Sequence, residues 1–317
     1  MNSQQGRYGG SRLRAFLFAA LFLTASAGLA QGVRVSPILQ AGDTFRLELI
    51  RIRENSQRPQ ENGKSRTIVD VRVISANIDG FVLEWVPGET VFSNPQAAQD
   101  PLVSAAGQAA LGIRFVLRLN PDGELTGLVN QAEIGPRLKA ILDTIIRDLA
   151  LPLPSDQRKS FQNMAGQLIT PATLISSATS EAQIYFGLNG VELGDGEDFA
   201  VELEQPSPLG NGAIPVTFRI HIDSATTESA LLKTTTTYDP TALLRMTQSL
   251  VQQSVKSIPP EELAKIPPMQ MSDSGSYLFN KSVGLMREVI VNRRISAGGV
   301  QRRDGWEIRL LEGPKRF

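Results

Sequence analysis

Alternation at a period of two is the pattern that most restricts this chain. Phe45, Leu47 and Leu49 alternate with Arg46 and Glu48, and Val69, Val71 and Val73 with Asp70 and Arg72. Ile113, Phe115, Leu117 and Leu119 do the same around Arg114 and Arg118. Ile214, Val216, Phe218, Ile220 and Ile222 alternate with Thr217, Arg219 and His221. Side chains of a strand point to opposite faces in turn, so each run predicts a strand with one buried and one solvated face. Further strands are expected at 80–86, 124–130, 199–205, 227–238, 276–282, 285–295 and 305–311. Asn120-Pro121-Asp122-Gly123 predicts a tight reversal, because proline presets one turn dihedral and glycine accepts a positive one. Ala297-Gly298-Gly299 predicts another. Reversals of this kind join neighbouring strands, so the sheet should be mostly antiparallel.

Two stretches change period. Ile134, Leu138, Ile141, Leu142, Ile145, Ile146 and Leu149 recur at three- and four-residue steps and form one apolar stripe of a helix. Shorter helices are expected at 155–167 and from Thr170-Pro171. Asp239-Pro240 reads as a cap followed by a first-turn proline, opening a helix whose buried face is Leu243, Leu244, Leu250, Val251 and Val255. Pro259-Pro260 and Pro267-Pro268 bracket a last short helical turn. The fold class is α+β: a large curved, mostly antiparallel sheet with amphipathic helices packed on one face.

The chain divides into a leader, 1–30, and two β-rich parts, 31–189 and 190–317, each with a helical insertion. Gly42-Asp43 precedes Phe45–Leu49 much as Gly194-Asp195 precedes Phe199–Leu203. That order suggests two similar halves. Alternating strands also resemble one another by chance, so duplication and coincidence both stay open.

The leader carries Arg7, Arg12 and Arg14 and no acidic residue, then the apolar run Ala15–Leu23, then the small residues Thr24–Ala30. A basic flank, a short apolar segment and a small-residue exit are what a signal peptidase requires. Cleavage after Ala30 is preferred over Ala27, so the mature chain begins at Gln31 and the expected location is periplasmic or secreted. Spanning a bilayer takes roughly 20 apolar residues, more than this run supplies before Thr24, so no stable membrane anchor is expected after cleavage. The chain has no cysteine, which excludes both a lipidated cysteine and disulfides.

Charge narrows the partners. The whole chain has 32 basic and 32 acidic residues; without the three leader arginines the balance is 29 to 32, a net charge of −3. No basic stripe runs along it, so nucleic acid is not an expected partner. Arg293-Arg294 and Arg302-Arg303 flank the Gly298-Gly299 turn and read as a solvated hairpin end.

Catalytic chemistry finds little to use. His221 is the one histidine, which rules out multi-histidine metal sites, and it lies on the polar side of its strand. Neither Gly-x-Ser-x-Gly nor Ser-x-x-Lys occurs, nor does a phosphate-binding glycine loop or a dinucleotide fingerprint. Glu192, Asp195, Glu197 and Asp198 do not match a calcium loop and read as a solvated turn. No catalytic, cofactor-binding or metal-binding residue is expected, and no cofactor.

Gly190-Val191-Glu192-Leu193-Gly194-Asp195, with the strands through Ile222, resembles an uncharacterised family of exported bacterial β-rich proteins. Gly275-Ser276-Tyr277-Leu278-Phe279-Asn280 followed by Gly284-Leu285-Met286 looks like the closing hairpin of that group. Such proteins are broadly similar in build to lipoprotein-carrier folds, a curved sheet with helices over its concave face. The resemblance implies that build and no activity.

Together these features lead to an expectation of a non-enzymatic exported protein that binds an apolar small molecule or lipid between sheet and helices. Trp85, Phe115, Phe218 and Tyr277 are the candidate lining residues, against the alternative that they are ordinary core. A second expectation is a protein–protein interaction or assembly module of the envelope, docking through edge strands or the proline-rich 257–268 segment. A third is a carboxylate-based hydrolase, which only geometry can test.

Overall fold

The computed structural model describes residues 32–95, 111–155, 157–159, 161–162, 175–176, 179–206, 213–254 and 259–315. The leader and its cleavage site, the helix expected from Thr170, and Val255 lie outside the described residues, as does the side chain of Leu250.

Thirteen strands are described. After the two-residue β1 (Val33–Arg34), β2 (Thr44–Asn55), β3 (Gly63–Asn77), β4 (Gly80–Phe92), β5 (Phe115–Leu119) and β6 (Leu125–Leu128) form an antiparallel meander. Two helices follow, α1 (Gln131–Ala150) and α2 (Ser180–Phe186), and then the two-residue β7 (Glu192–Leu193), which pairs with β1. A second meander runs through β8 (Asp198–Pro206), β9 (Ala213–Ala225), β10 (Ser229–Tyr238), β11 (Gln270–Asn280), β12 (Leu285–Ala297) and β13 (Val300–Lys315). The helices α3 (Pro240–Ser254) and α4 (Pro260–Ala264) interrupt it between β10 and β11.

The two meanders are one sheet. Its order is β6-β5-β4-β3-β2-β13-β12-β11-β10-β9-β8, so β2 and β13, its first and last strands in the chain, pair at the seam. The ladder is antiparallel throughout, and β6 and β8 are its two edges. This is the expected α+β class, with every strand read from alternation present and most of them longer than the apolar run alone. The entries to the two meanders differ: Asp43 is fully buried and accepts a hydrogen bond from the Gln40 amide at 2.8 Å, whereas Asp195 is exposed.

The sheet curls. The seven-residue helix α2 touches β6 and also β12 and β13. β6 and β12 are six strand spacings apart along the sheet, roughly 29 Å if it were flat. A helix about 10 Å across reaches both only if the sheet wraps around it. Its side chains make the same connection: Tyr185 donates its hydroxyl proton to the Met286 carbonyl of β12 at 2.8 Å, and Phe186 meets Trp85 of β4 edge-on at 6.4 Å. One end of the curl is closed by the segment 33–39 together with 188–193. There Val35 exchanges hydrogen bonds with Gly190 and Val191, and the Asn189 amide donates to the Gly123 carbonyl. Gly284 has φ +67°, and a side chain there would strike the backbone of Ser36–Ile38 at 2.4 Å, so the closure depends on glycine.

The core is the concave side. Phe45, Leu47, Val69, Val71, Leu83, Trp85, Val289 and Ile308 lie in one cluster with Ile134 and Leu138 of α1 and Ala182, Tyr185 and Phe186 of α2. Farther along the same face, Ala242 and Leu243 of α3 pack on Ile214, Val216, Tyr238, Met269 and Met271. The Asp239 cap is formed, its carboxylate accepting from the Ala242 amide at 2.7 Å. The convex side is polar, crossed by ion pairs such as Arg46–Asp70, Arg309–Glu288 and Arg303–Glu54.

Candidate functional site on the concave face

Strand register places side chains of one face in rows across the sheet. The row through Val71 contains Trp85 and Phe115, both buried, Trp85 against Phe186 of α2. Tyr277 and Phe218 belong to the second meander and join the same core cluster. Tyr277 is held in place by its neighbours. A side chain at Gly275 would collide with the Tyr277 ring at 2.6 Å and with Thr234 Oγ1 at 2.3 Å, so glycine lets the ring lie along its own strand. The four expected lining residues therefore share one face and one core, each packed against protein.

The next rows away from the closed end are different. One runs Phe92–Ser65–Arg51–Trp306–Val291–Gly275 across β4, β3, β2, β13, β12 and β11. Phe92, Trp306 and Val291 are only half-buried there, between α2 on one side and α3, which contacts β9 and β11, on the other. Beneath this row the hydroxyls of Thr67 and Thr90 hydrogen-bond at 2.8 Å. Among the described residues, the buried side-chain polar atom with no hydrogen-bond partner is Trp306 Nε1. Leaving such a donor unpaired costs about 1–3 kcal/mol. The Arg51 guanidinium stands 5.6 Å from the centre of the same ring, a cation–π contact.

One row farther out the face turns ionic: Arg53, Asp304, Arg293 and Asp273 are successive cross-strand partners. Arg293 holds Asp273 with two hydrogen bonds of 2.8 and 2.7 Å, and Tyr238 donates to the same carboxylate at 2.9 Å. Burial, then the Asp273 charge, pushes the Tyr238 hydroxyl up from the ordinary phenol range, so it stays a donor. Asp304 accepts from Arg302 at 3.1 Å. This network sits at the rim of the concave face, beside Tyr238 of the α3 cluster.

Residues 50–53 continue the alternation of Phe45, Leu47 and Leu49 without a break. Ile52 is buried on the convex side opposite Gly305, where an added Cβ would come within 3.2 Å of Ile52 Cβ. Arg51 and Arg53 therefore face inward in line with Leu47 and Leu49.

The acidic turn of Glu192, Asp195, Glu197 and Asp198 is solvated, as expected. His221 is exposed on the convex face. Glu197 closes its turn by accepting from the Gly194 amide at 2.6 Å. Among the described residues no group of three or more histidine, aspartate or glutamate side chains is placed to hold a metal. A cleft of 340 Å³ on the convex side is bordered by Arg46, Asp70, Arg72, Glu84, Glu312 and Lys315. Four of these pair among themselves, Arg46 with Asp70 and Glu312, and Lys315 with Glu312. It is a saddle between ion pairs rather than an apolar site. No described helix is long and apolar enough to cross a membrane.

No protein-family profile matches the chain, and no curated protein matches it either. Among solved structures, one of lipid–protein interactions in lipovitellin aligns with 87% of this chain at a TM-score of 0.41 and 10% identity. The alignment covers 26% of the lipovitellin chain, so this chain spans about a quarter of that protein. An outer-membrane channel from Pseudomonas putida F1 aligns at a TM-score of 0.17 and 9% identity, over 87% of this chain and 97% of the channel. Scores this low establish neither a shared fold nor a shared ligand.

Proposed function

We propose that this chain is a non-enzymatic protein that works outside the cytoplasm and binds an apolar, lipid-like molecule on the concave face of its curled sheet. The observation that supports this reading is the half-buried row of Phe92, Trp306 and Val291. It continues the packed core away from the closed end, where its side chains are only half-buried. Apolar surface of this kind gains about 25 cal/mol for every Å² removed from water, so an acyl chain laid along it stabilises both partners. Trp85, Phe115, Phe218 and Tyr277 form the floor beneath that molecule; Trp85 and Phe115 would touch it directly only if α2 moved aside. The location rests on reading the first thirty residues as an export signal, with its basic flank, apolar run and small-residue exit.

Intrinsic fluorescence tests the reading, because the chain has two tryptophans. Trp85 is 2% exposed under Phe186, whereas Trp306 is half-buried in the proposed site. A monoacylglycerol with bromine on its acyl chain quenches indoles it touches. Saturable quenching is expected in the wild type and should be lost in Trp306→Phe, where Trp85 alone emits. Absence of saturable quenching in the wild type, by this probe and by anionic amphiphiles with the same brominated chain, overturns the proposal.

A further inference from the structure

Resting on the site just proposed, we infer that its ligand class is an acyl-chain amphiphile with an anionic head, carboxylate or phosphate, received by Arg51 and Arg53. Both side chains lie on the concave face of one strand, two residues apart, Arg51 in the row that carries Trp306 and Arg53 in the row that carries Asp304. Their side chains are 52% and 56% exposed. The apolar row begins beside them, which is the arrangement that an amphiphile's junction between head and chain requires.

What distinguishes these two arginines is unused hydrogen-bonding capacity. On the same sheet, Arg293 spends two donors on Asp273, Arg303 two on Asn292, and Arg309 donates to Glu288 and Glu307, all at 2.7–3.0 Å. Arg51 approaches Glu181 only to 3.7 Å and Arg53 approaches Asp304 only to 3.8 Å. Those separations are ion pairs beyond hydrogen-bonding distance. Each guanidinium has five N–H donors in a planar fork that matches carboxylate and phosphate oxygens. Among the described residues neither donates one of them to a protein acceptor.

The local charge has the matching sign. Around this rim Arg51, Arg53, Arg293 and Arg302 face Glu181, Asp273 and Asp304, four cations against three anions. Asp273 accepts three hydrogen bonds from Arg293 and Tyr238, and Asp304 accepts one from Arg302, so the positive charge in excess lies with the two arginines that donate to neither. An uncharged head would leave their donors to water. An anionic head accepts from both and lies close to an apolar wall, where charge-assisted hydrogen bonds gain strength from the lowered dielectric.

Three brominated probes with the same acyl chain separate the outcomes by tryptophan quenching: a fatty acid, a lysophosphatidic acid and the neutral monoacylglycerol. The wild type should bind one or both anionic probes at least tenfold more tightly than the neutral one, with a preference that falls as salt rises. The phosphate and carboxylate arms show which head is the better fit. In Arg51→Gln/Arg53→Gln the ratio of anionic to neutral affinity should collapse to about one, and Arg51→Lys/Arg53→Lys should keep part of it. Thermal melts of each variant confirm folding, and should the glutamine double variant not fold, the single variants and the salt dependence of the wild type carry the test. Equal binding of neutral and anionic probes by the wild type overturns this inference while leaving the proposed function standing. Failure of all three probes to quench overturns both.

Discussion

Three tyrosines give the interior a pH signature. Tyr185, Tyr238 and Tyr277 are buried, and desolvation pushes all three hydroxyls above the ordinary phenol value. The folded values lie above an unfolded value of about 10, so the folded chain retains protons that the unfolded chain releases. Stability is therefore undiminished below about pH 10 and falls as the pH rises beyond it, by up to roughly 4 kcal/mol per pH unit for three such groups. In an alkaline titration, tyrosinate absorbance should appear together with loss of the strand circular dichroism, rather than before it. Tyr185→Phe should lower the steepness by about a third and, through the lost bond to the Met286 carbonyl, cost about 1 kcal/mol at neutral pH. Tyrosinate forming in a chain that remains folded would show that these hydroxyls are not sealed.

At the scale of elements, α3 and α2 on the concave face do different work. The first turns of α3 are core, with Leu243 fully buried, and its start is fixed by the Asp239 carboxylate on the Ala242 amide. Asp239→Ala should cost about 1 kcal/mol, and Asp239→Asn almost nothing, because asparagine caps as well as aspartate does. Denaturant melts of the pair check it; equal losses would mean that the charge rather than the cap matters. Helix α2 is a plug, and Phe186, wedged between Trp85 and Tyr185 with ring centroids 6.4 and 5.0 Å away, anchors it. Phe186→Ala should cost about 3–5 kcal/mol, a transfer loss plus a cavity in the middle of the curl. A cost below about 1 kcal/mol would mean that α2 is loosely seated and can leave the sheet.

For the whole molecule, the pairing of β2 with β13 ties the two meanders into one unit. Residues 33–39 close the end of the curl against Gly123 and Gly284, which belong to different meanders, and the core cluster takes side chains from both. Residues 31–189 and 190–317 should therefore not fold separately. Expressed apart, each loses its seam partner and exposes the apolar face that the other covers; mixed, they should recover the dichroism and the single melting transition of the intact chain. Two fragments that each melt cooperatively by themselves would establish two independent domains instead.

Local pattern alone was enough for the strands and their faces, because successive side chains of a strand alternate wherever the strand lies. It sufficed as well for the Asn120–Gly123 and Gly298-Gly299 turns, the Asp239 cap and the solvent exposure of His221, each set by residues within a few positions of one another. Tertiary structure alone decided the order of the strands, since pairing β2 with β13 depends on contacts across the full length of the chain. Helix α2 escaped notice because seven residues carry too short a periodicity, and packing inside the curl rather than propensity makes it a helix. The candidate site was hidden for the same kind of reason. The alternation of Phe45, Leu47 and Leu49 carries Arg51 and Arg53 to the inward face but does not say what lies across from them. Only the pairing with β13, about 250 residues later in the chain, sets Trp306 and Asp304 beside the two arginines.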